Sequence, residues 1–260
     1  MSDDLVRQLP SSARVSLGIT GPAIPVQEHL RFQLDHALAR DAVHASLDVA
    51  TLERGLHARG LSSLTLQSSA ASASVGSGGR RDVYLRRPDL GRTLHSASRA
   101  LLESVAATPA DVVFVLADGL SSHAIERHAL ALLDATLPLL PTALSTPVVI
   151  ATQARVALGD EIGQLLHTRL VVVLIGERPG LSSPDSLGVY ITWDPQPGRN
   201  DAERNCISNI HAEGLSYEAA AERIAYFVRE AHRLQLTGVR LKDPALALAN
   251  AKGDKIETSA

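Results

Sequence analysis

The segment Leu170–Ile175, LVVVLI, is apolar without a break and rich in β-branched residues, and it stops at Gly176-Glu177-Arg178-Pro179-Gly180. A strand with one wet face alternates apolar and polar residues, whereas a strand covered on both faces has no need to. The segment therefore reads as a buried strand of a parallel sheet ending in a polar turn. Ligands of open α/β sheets sit beyond the carboxyl ends of the strands. The turns and loops directly after the strand-like segments are thus the place to look for function.

Three further segments, Val112–Ala117, Val148–Ala151 and Leu187–Trp193, read as strands, and helical patterns alternate with them. Arg87-Pro88-Asp89 forms a turn before a helix over Gly91–Ala107. Ser121 or Ser122 can cap a helix that Pro138 ends. Asp160 opens a short helix to His167. After Ser216, a helix carries Ala220, Ile224, Phe227, Ala231 and Leu234 on one face until Gly238. This alternation predicts an α/β fold, a parallel sheet covered by helices with right-handed crossovers.

Upstream, Val26, Leu30, Leu34 and Leu38 recur every four residues, and Gly60 is a suitable helix stop. This predicts an N-terminal α-helical arm. Ser68–Gly79, SSAASASVGSGG, has no apolar period and reads as a linker. The expected organisation is a tail over 1–24, a helical arm over 25–67, a Ser/Gly-rich linker over 68–81, an α/β domain over 82–249 and a tail over 250–260.

Composition narrows the function classes. Of 260 residues 45% are hydrophobic but only 3% aromatic, so the core is aliphatic. The net charge of -3, without a Lys/Arg run, argues against nucleic acid as a partner. No apolar stretch approaches the ~18 residues of a membrane span, and the acidic start MSDDLVRQLP has no signal-peptide core. A single cysteine leaves no disulfide framework and suits a reducing, cytoplasmic setting.

Each strand gives way to a polar segment. These are Asp118–His123, Gln153–Asp160, Gly176–Gly180 and the long loop Asp194–Leu215, which holds Arg204, Cys206, Ser208, Asn209 and His211. In a parallel sheet all four meet at one edge, where helix N-termini and free backbone N–H groups suit a large polar ligand with negative groups. Each segment taken alone is equally a capped turn, and Cys206 is equally a small packed hydrophobe. There is no Gly-x-Ser-x-Gly, Walker A or Gly-x-Gly-x-x-Gly pattern opening a helix. His123 and His128 are five apart, and no His-x-x-x-His pair exists to seed a zinc site.

Six motifs in order resemble the small subunits of ethanolamine ammonia-lyases. They are LRFQLDHALARDAVHASL at 30–47, RPDLGR at 87–92, LADGLSSHAIERHA at 116–129, IATQARVALGDEIG at 150–163, LIGERPGLSSPDSLGVY at 174–190 and RNCISNIHAEG at 204–214. The resemblance implies an adenosylcobalamin-dependent lyase that converts ethanolamine to acetaldehyde and ammonia by radical chemistry. It implies a Rossmann-like α/β domain that completes the cobalamin site against a large subunit, with equal numbers of each subunit and ethanolamine bound by the large one. Family cofactor contacts fall on the Val of ARVALGDEIG, the Glu of GERPG and the Cys of CISNIH, here Val156, Glu177 and Cys206. No catalytic residue and no metal ligand is assigned to this chain. Asp35-His36 lacks the Asp-x-His-x-x-Gly spacing by which other cobalamin proteins replace the nucleotide base on cobalt. The alternative reading is a non-catalytic assembly module in which the arm is the functional part. A longer N-terminal segment directs encapsulation in the family, and the short tail here leaves housing in a bacterial microcompartment open.

Overall fold

The structure is a computed structural model that describes residues 24–73, 81–105, 110–141 and 147–243. Residues 1–23 and 244–260, and the half of the Ser/Gly segment over 74–80, lie outside the described residues. The α/β expectation holds. Six strands form one sheet in the order β1-β3-β2-β4-β5-β6: β1 Ser63–Gln67, β2 Val112–Ala117, β3 Val148–Thr152, β4 Leu170–Gly176, β5 Leu187–Trp193 and β6 Arg204–Ile210. Strands β2 and β4 lie centrally and are buried along their whole length, as their unbroken apolar sequences require.

Eight α-helices accompany the sheet among the described residues: α1 Val26–His44, α2 Val49–His57, α3 Ser69–Ala73, α4 Asp82–Arg86, α5 Ser96–Ser104, α6 Ser122–Thr136, α7 Leu158–Leu165 and α8 Tyr217–Leu234. One sheet face packs on α2, α6 and α8 through Leu52, Ile125, Leu132, Ile224 and Phe227. The other packs on α5 and α7 through Leu102, Leu158 and Ile162. The connection from β2 to β3 runs through α6 on the first face, and that from β3 to β4 runs through α7 on the second. The centre β3-β2-β4 is therefore doubly wound, with its topological switch point between β2 and β4.

Several local expectations change. Parallel pairing runs only through β1, β3, β2 and β4, because β5 is antiparallel to β4 and β6 is antiparallel to β5. The carboxyl end of β5 therefore lies at the opposite edge from those of β2, β3 and β4. The segment read as the loop Asp194–Leu215 contains β6, so Cys206 stands in a strand rather than a loop. Ser63–Gln67, read as part of the arm, pairs along β3, and Ser69–Ala73 within the expected linker is helical. The helix expected over Gly91–Ala107 begins only at Ser96, after a 3-10 turn over Leu90–Arg92 and an extended stretch. Helix α7 begins at Leu158, so Asp160 sits inside its first turn. Helix α8 keeps its Ser216 cap, which accepts from Ala219 N–H, but ends when Gln235 turns left-handed, before Gly238.

The apolar residues along α1, the first part of the arm, are not packed, whereas Leu52 and Leu56 of α2 are buried in the core. Val26, Leu30, Leu34 and Leu38 are 73%, 58%, 59% and 49% exposed. Only the end of α1 docks, through the buried Ala42 and through carbonyls of Val43 and Ala45 that accept from Arg81.

A buried ion pair fixes the edge strand β6. Arg204 donates to both carboxylate oxygens of Asp160 on α7 at 2.6 Å, and further to Thr192 Oγ1 and Arg199 O at 2.9 Å. Burial pushes the Asp160 pKa up, and Arg204 opposes it. Removing one member of such a pair leaves the other charged and buried, at a cost of about 3–5 kcal/mol. R204M should therefore lower unfolding stability by about that much, read in urea from the fluorescence of the lone Trp193. The double variant D160L/R204M should be less destabilised than R204M, and equal losses would refute the pairing argument.

Candidate functional site

Asp118 follows β2 directly, and its buried carboxylate organises the switch point. Oδ2 accepts from Gln153 N–H at 2.8 Å and Oδ1 from Ala154 N–H at 3.0 Å. The Arg81 guanidinium lies 3.4 Å from Oδ2. Burial pushes the Asp118 pKa up, and Arg81 and the two amides pull it back. The end of β2 thus holds the turn after β3, including Gln153 in a left-handed conformation with φ 52°. That turn presents Arg155 and Val156.

The third side comes from the end of β4. Gly119 has φ 55°, and a Cβ on it would lie 2.2 Å from Gly176 O. A Cβ on Gly176 would lie 1.9 Å from Ser121 O. Only glycines let these backbones touch, and Leu120 N–H donates to Gly176 O at 2.9 Å across the contact. The result is a cleft of about 300 Å³ lined by Tyr84, Gly119, Leu120, Arg155, Val156, Ile175, Gly176, Glu177, Arg178 and Tyr190.

Val156 and Glu177 therefore line one cleft. Glu177 is half-buried, and its Oε2 accepts from Ser186 Oγ and from Asn209 N–H. Its Oε1 lies over Gly188, where a Cβ would come within 3.0 Å. The amide of Asn209 reaches Glu177 because of a β-bulge. Val189 pairs with Ile207 but Leu187 pairs with Ile210, so Ser208 and Asn209 oppose one residue, and Asn209 has φ 63°.

Cys206 does not line the cleft but adjoins it, as the register partner of Tyr190. It is exposed, as is Ser208, while Ile207 between them is buried. Partial desolvation holds the Cys206 thiol above its usual range, aided by the negative charges of Glu177 and Asp201 and opposed by a hydrogen bond from Tyr190. The cleft thus continues onto an open part of the sheet face that carries Tyr190, Cys206 and Ser208. Cys206 is therefore not packed into the core of this chain.

The connection between β4 and β5 is pinned from below. Ser121 Oγ donates to Pro184 O at 2.9 Å, and Arg127 donates to Asp185 at 2.8 Å. His128 has Nε2 3.3 Å from Asp185 and Nδ1 2.7 Å from the Tyr217 hydroxyl. His211 Nε2 lies 2.9 Å from Asn209 Oδ1 and 3.3 Å from Ser183 Oγ, a brace on the same connection. A larger cleft, about 570 Å³, opens at the opposite edge between Trp193, Asp194, Arg199 and Arg240. It contains none of the three residues expected to contact a cofactor. No group of three or more His, Cys, Asp or Glu suited to a metal occurs among the described residues, and no described helix is long and apolar enough to cross a membrane.

Sequence reasoning missed Tyr84, Arg155 and Tyr190. Arg155 had a signal, since it stands in the motif that contains Val156. Tyr190 had one too, as the last residue of the motif that contains Glu177, whereas Tyr84 had none, because only the fold brings it there.

Fold and cleft define an α/β protein with a polar cleft at the switch point of its sheet. Comparison with known proteins makes this specific. The family model described as "Ethanolamine ammonia-lyase light chain (EutC)" matches residues 4–242. A protein of Pseudomonas paraeruginosa named "Ethanolamine ammonia-lyase small subunit" is 51% identical over 97% of this chain and 91% of its own length. A protein of Bradyrhizobium diazoefficiens with the same name is 50% identical over 94% of both chains. One of Azotobacter vinelandii is 50% identical over 90% of this chain and 85% of its own length. The chain belongs to the family of ethanolamine ammonia-lyase small subunits.

The clamp beneath the site has a pH signature. Burial lowers the His128 pKa from 6.5, and the nearby Asp185 carboxylate pulls it up less strongly. The unfolded chain therefore takes the proton first, and stability is lost as pH falls through 6.5. Thermal unfolding should show a decline in Tm between about pH 7 and pH 5. The decline should be shallower in H128N, and an unchanged slope would show that His128 is not the titrating group.

Proposed function

We propose that this chain supplies one wall of an adenosylcobalamin site whose other wall belongs to the large subunit of an ethanolamine ammonia-lyase. The observation that carries the reading is the convergence of Val156 and Glu177 in one cleft, with Cys206 beside it on the same open sheet face. These are the three positions that the resemblance marks as cofactor contacts. The donor set suits a corrin fringed with neutral amides. Glu177 Oε1 can accept an amide N–H, and the buried, unpartnered Nε of Arg155 marks donor capacity at the cleft wall. A cleft of about 300 Å³ takes only an edge of so large a cofactor. A second protein must cover the rest.

When bound, the cofactor supplies the radical chemistry by which ethanolamine becomes acetaldehyde and ammonia. This chain's residues bind and orient. The bare backbone of Gly119 and Gly176 gives close access, Val156 offers an apolar contact, and Glu177, braced by Ser186 and Asn209, presents an acceptor. None of them forms an acid–base constellation with a substrate pocket, so the division of labour leaves ethanolamine to the large subunit. Visible-spectrum titration with cobalamin tests the reading. The complex of both subunits should bind it far more tightly than the large subunit alone, and equal binding would overturn the proposal.

Within the complex, E177A should remove one hydrogen bond to the cofactor, about 1–3 kcal/mol if the partner stays buried. This is roughly five- to 150-fold in apparent affinity. Half-saturation by adenosylcobalamin should rise by that factor while the maximal rate falls much less. Unchanged half-saturation with a collapsed maximal rate would instead place Glu177 in the chemistry.

The large subunit is also the occupant proposed for the exposed apolar residues of α1, since apolar clusters of this kind mark interaction sites. The double variant L30D/L34D should leave the secondary structure and Tm of this chain unchanged, because neither side chain is packed. It should weaken co-elution with the large subunit. Unaltered co-elution would remove α1 from the interface.

A further inference from the structure

Tyr84 and Arg155 line the cleft but are not among the three contacts that the resemblance implies. Tyr84 is fully buried, and its hydroxyl donates to Ala154 O at 2.8 Å. Two guanidiniums lie against its ring, with the Cζ of Arg155 4.4 Å and that of Arg81 4.8 Å from the centroid. Cation–π attraction of this kind strengthens as water is excluded. Arg81 is engaged through both terminal nitrogens, facing Asp118 and donating to the carbonyls of Val43, Ala45 and Gly119, with only its buried Nε left without a partner.

Arg155 is not. Among the described residues its side chain makes one hydrogen bond, a long one of 3.4 Å from Nη2 to Tyr84 O, and its Nε is buried without a partner. Its stem is nevertheless held firmly. A Cβ on Gly91 would come within 2.9 Å of Arg155 Cγ and 3.0 Å of the Tyr84 ring, and Arg155 N–H donates to Gly91 O at 2.8 Å. A fixed guanidinium with donors to spare, at the wall of a cleft, is built to meet an acceptor.

We propose that Arg155 donates to a peripheral amide carbonyl of the corrin, and that Tyr84 is the positioning residue that holds its guanidinium there. The inference rests on the cobalamin reading given above. The choice of a neutral amide over the cofactor's phosphate follows from Glu177 in the same cleft, whose carboxylate repels an anion. Arg155 as donor and Glu177 as acceptor together match the two halves of a primary amide.

The test is equilibrium binding of hydroxocobalamin to the complex of both subunits, read by visible absorbance without turnover. R155M should weaken binding roughly five- to 150-fold, the range for a buried hydrogen bond. Co-elution and far-UV circular dichroism should match wild type. R155K keeps the charge but loses the planar fork, and should also bind at least about fivefold more weakly. Wild-type affinity in R155K overturns the proposal even if R155M fails to fold. Y84F, which keeps the ring, should bind like wild type, whereas Y84L should resemble R155M. Equal affinity of Y84F and Y84L removes Tyr84 from the positioning role. Repeating the titration with a cobinamide that lacks the nucleotide phosphate should leave the R155M factor unchanged, and its disappearance would move the contact to the phosphate. If wild-type complex binds no more tightly than the large subunit alone, the cobalamin reading itself fails. If wild type binds and the R155 variants match it, only this inference does.

Discussion

The carboxylate of Asp118 is the interaction on which the site depends. Placed where β2 stops, it has no access to water, so its charge must be met by protein groups. Two of these are backbone amides of the turn after β3, and the third is Arg81, which reaches in from the segment before α4. One buried group therefore couples a central strand, its neighbour's turn and an element distant in sequence. The cleft forms where the three meet.

The two faces of the sheet serve different ends. One is closed along its length by α2, α6 and α8 and holds the larger part of the aliphatic core. The other is closed by α5 and α7 over the parallel strands but left open toward β6. The Arg204–Asp160 pair marks the boundary, drawing the start of β6 under α7 while Cys206 and Ser208 beyond it stay exposed. An open sheet face beside a cleft gives a flat, broad ligand one edge to lie against.

How much of this was legible in the sequence depends on the range of the interactions. Strands β2, β3 and β4 are unbroken apolar runs, and burial on both faces writes them into local sequence. Strand β1, SLTLQ, and strand β6, RNCISNI, lie at the sheet edges, where half-wet positions dilute the pattern until it reads as arm or loop. The direction of β5 does have a local signal. Only ten residues separate Gly176 from Leu187, and a parallel crossover needs about a dozen or more. The grouping of Val156, Glu177 and Cys206 was readable because the motifs that contain them are contiguous. The Tyr84 stack was not, since it joins Arg81, Tyr84 and Arg155 through contacts across the chain.

The pairing of β1 with β3 has a consequence for how the molecule comes together. Strands β4, β5 and β6 are neighbours in both sequence and space, so their contacts close short loops, whereas Ser63 must find Val148 across much of the chain. Closure entropy grows with that separation, and an edge strand has one partner rather than two. Loop closure thus weighs more on the β1 side of the sheet than on the hairpin side. The Tyr84 stack carries the same burden, since Tyr84 must meet Ala154 and Arg155 some 70 residues further along the chain.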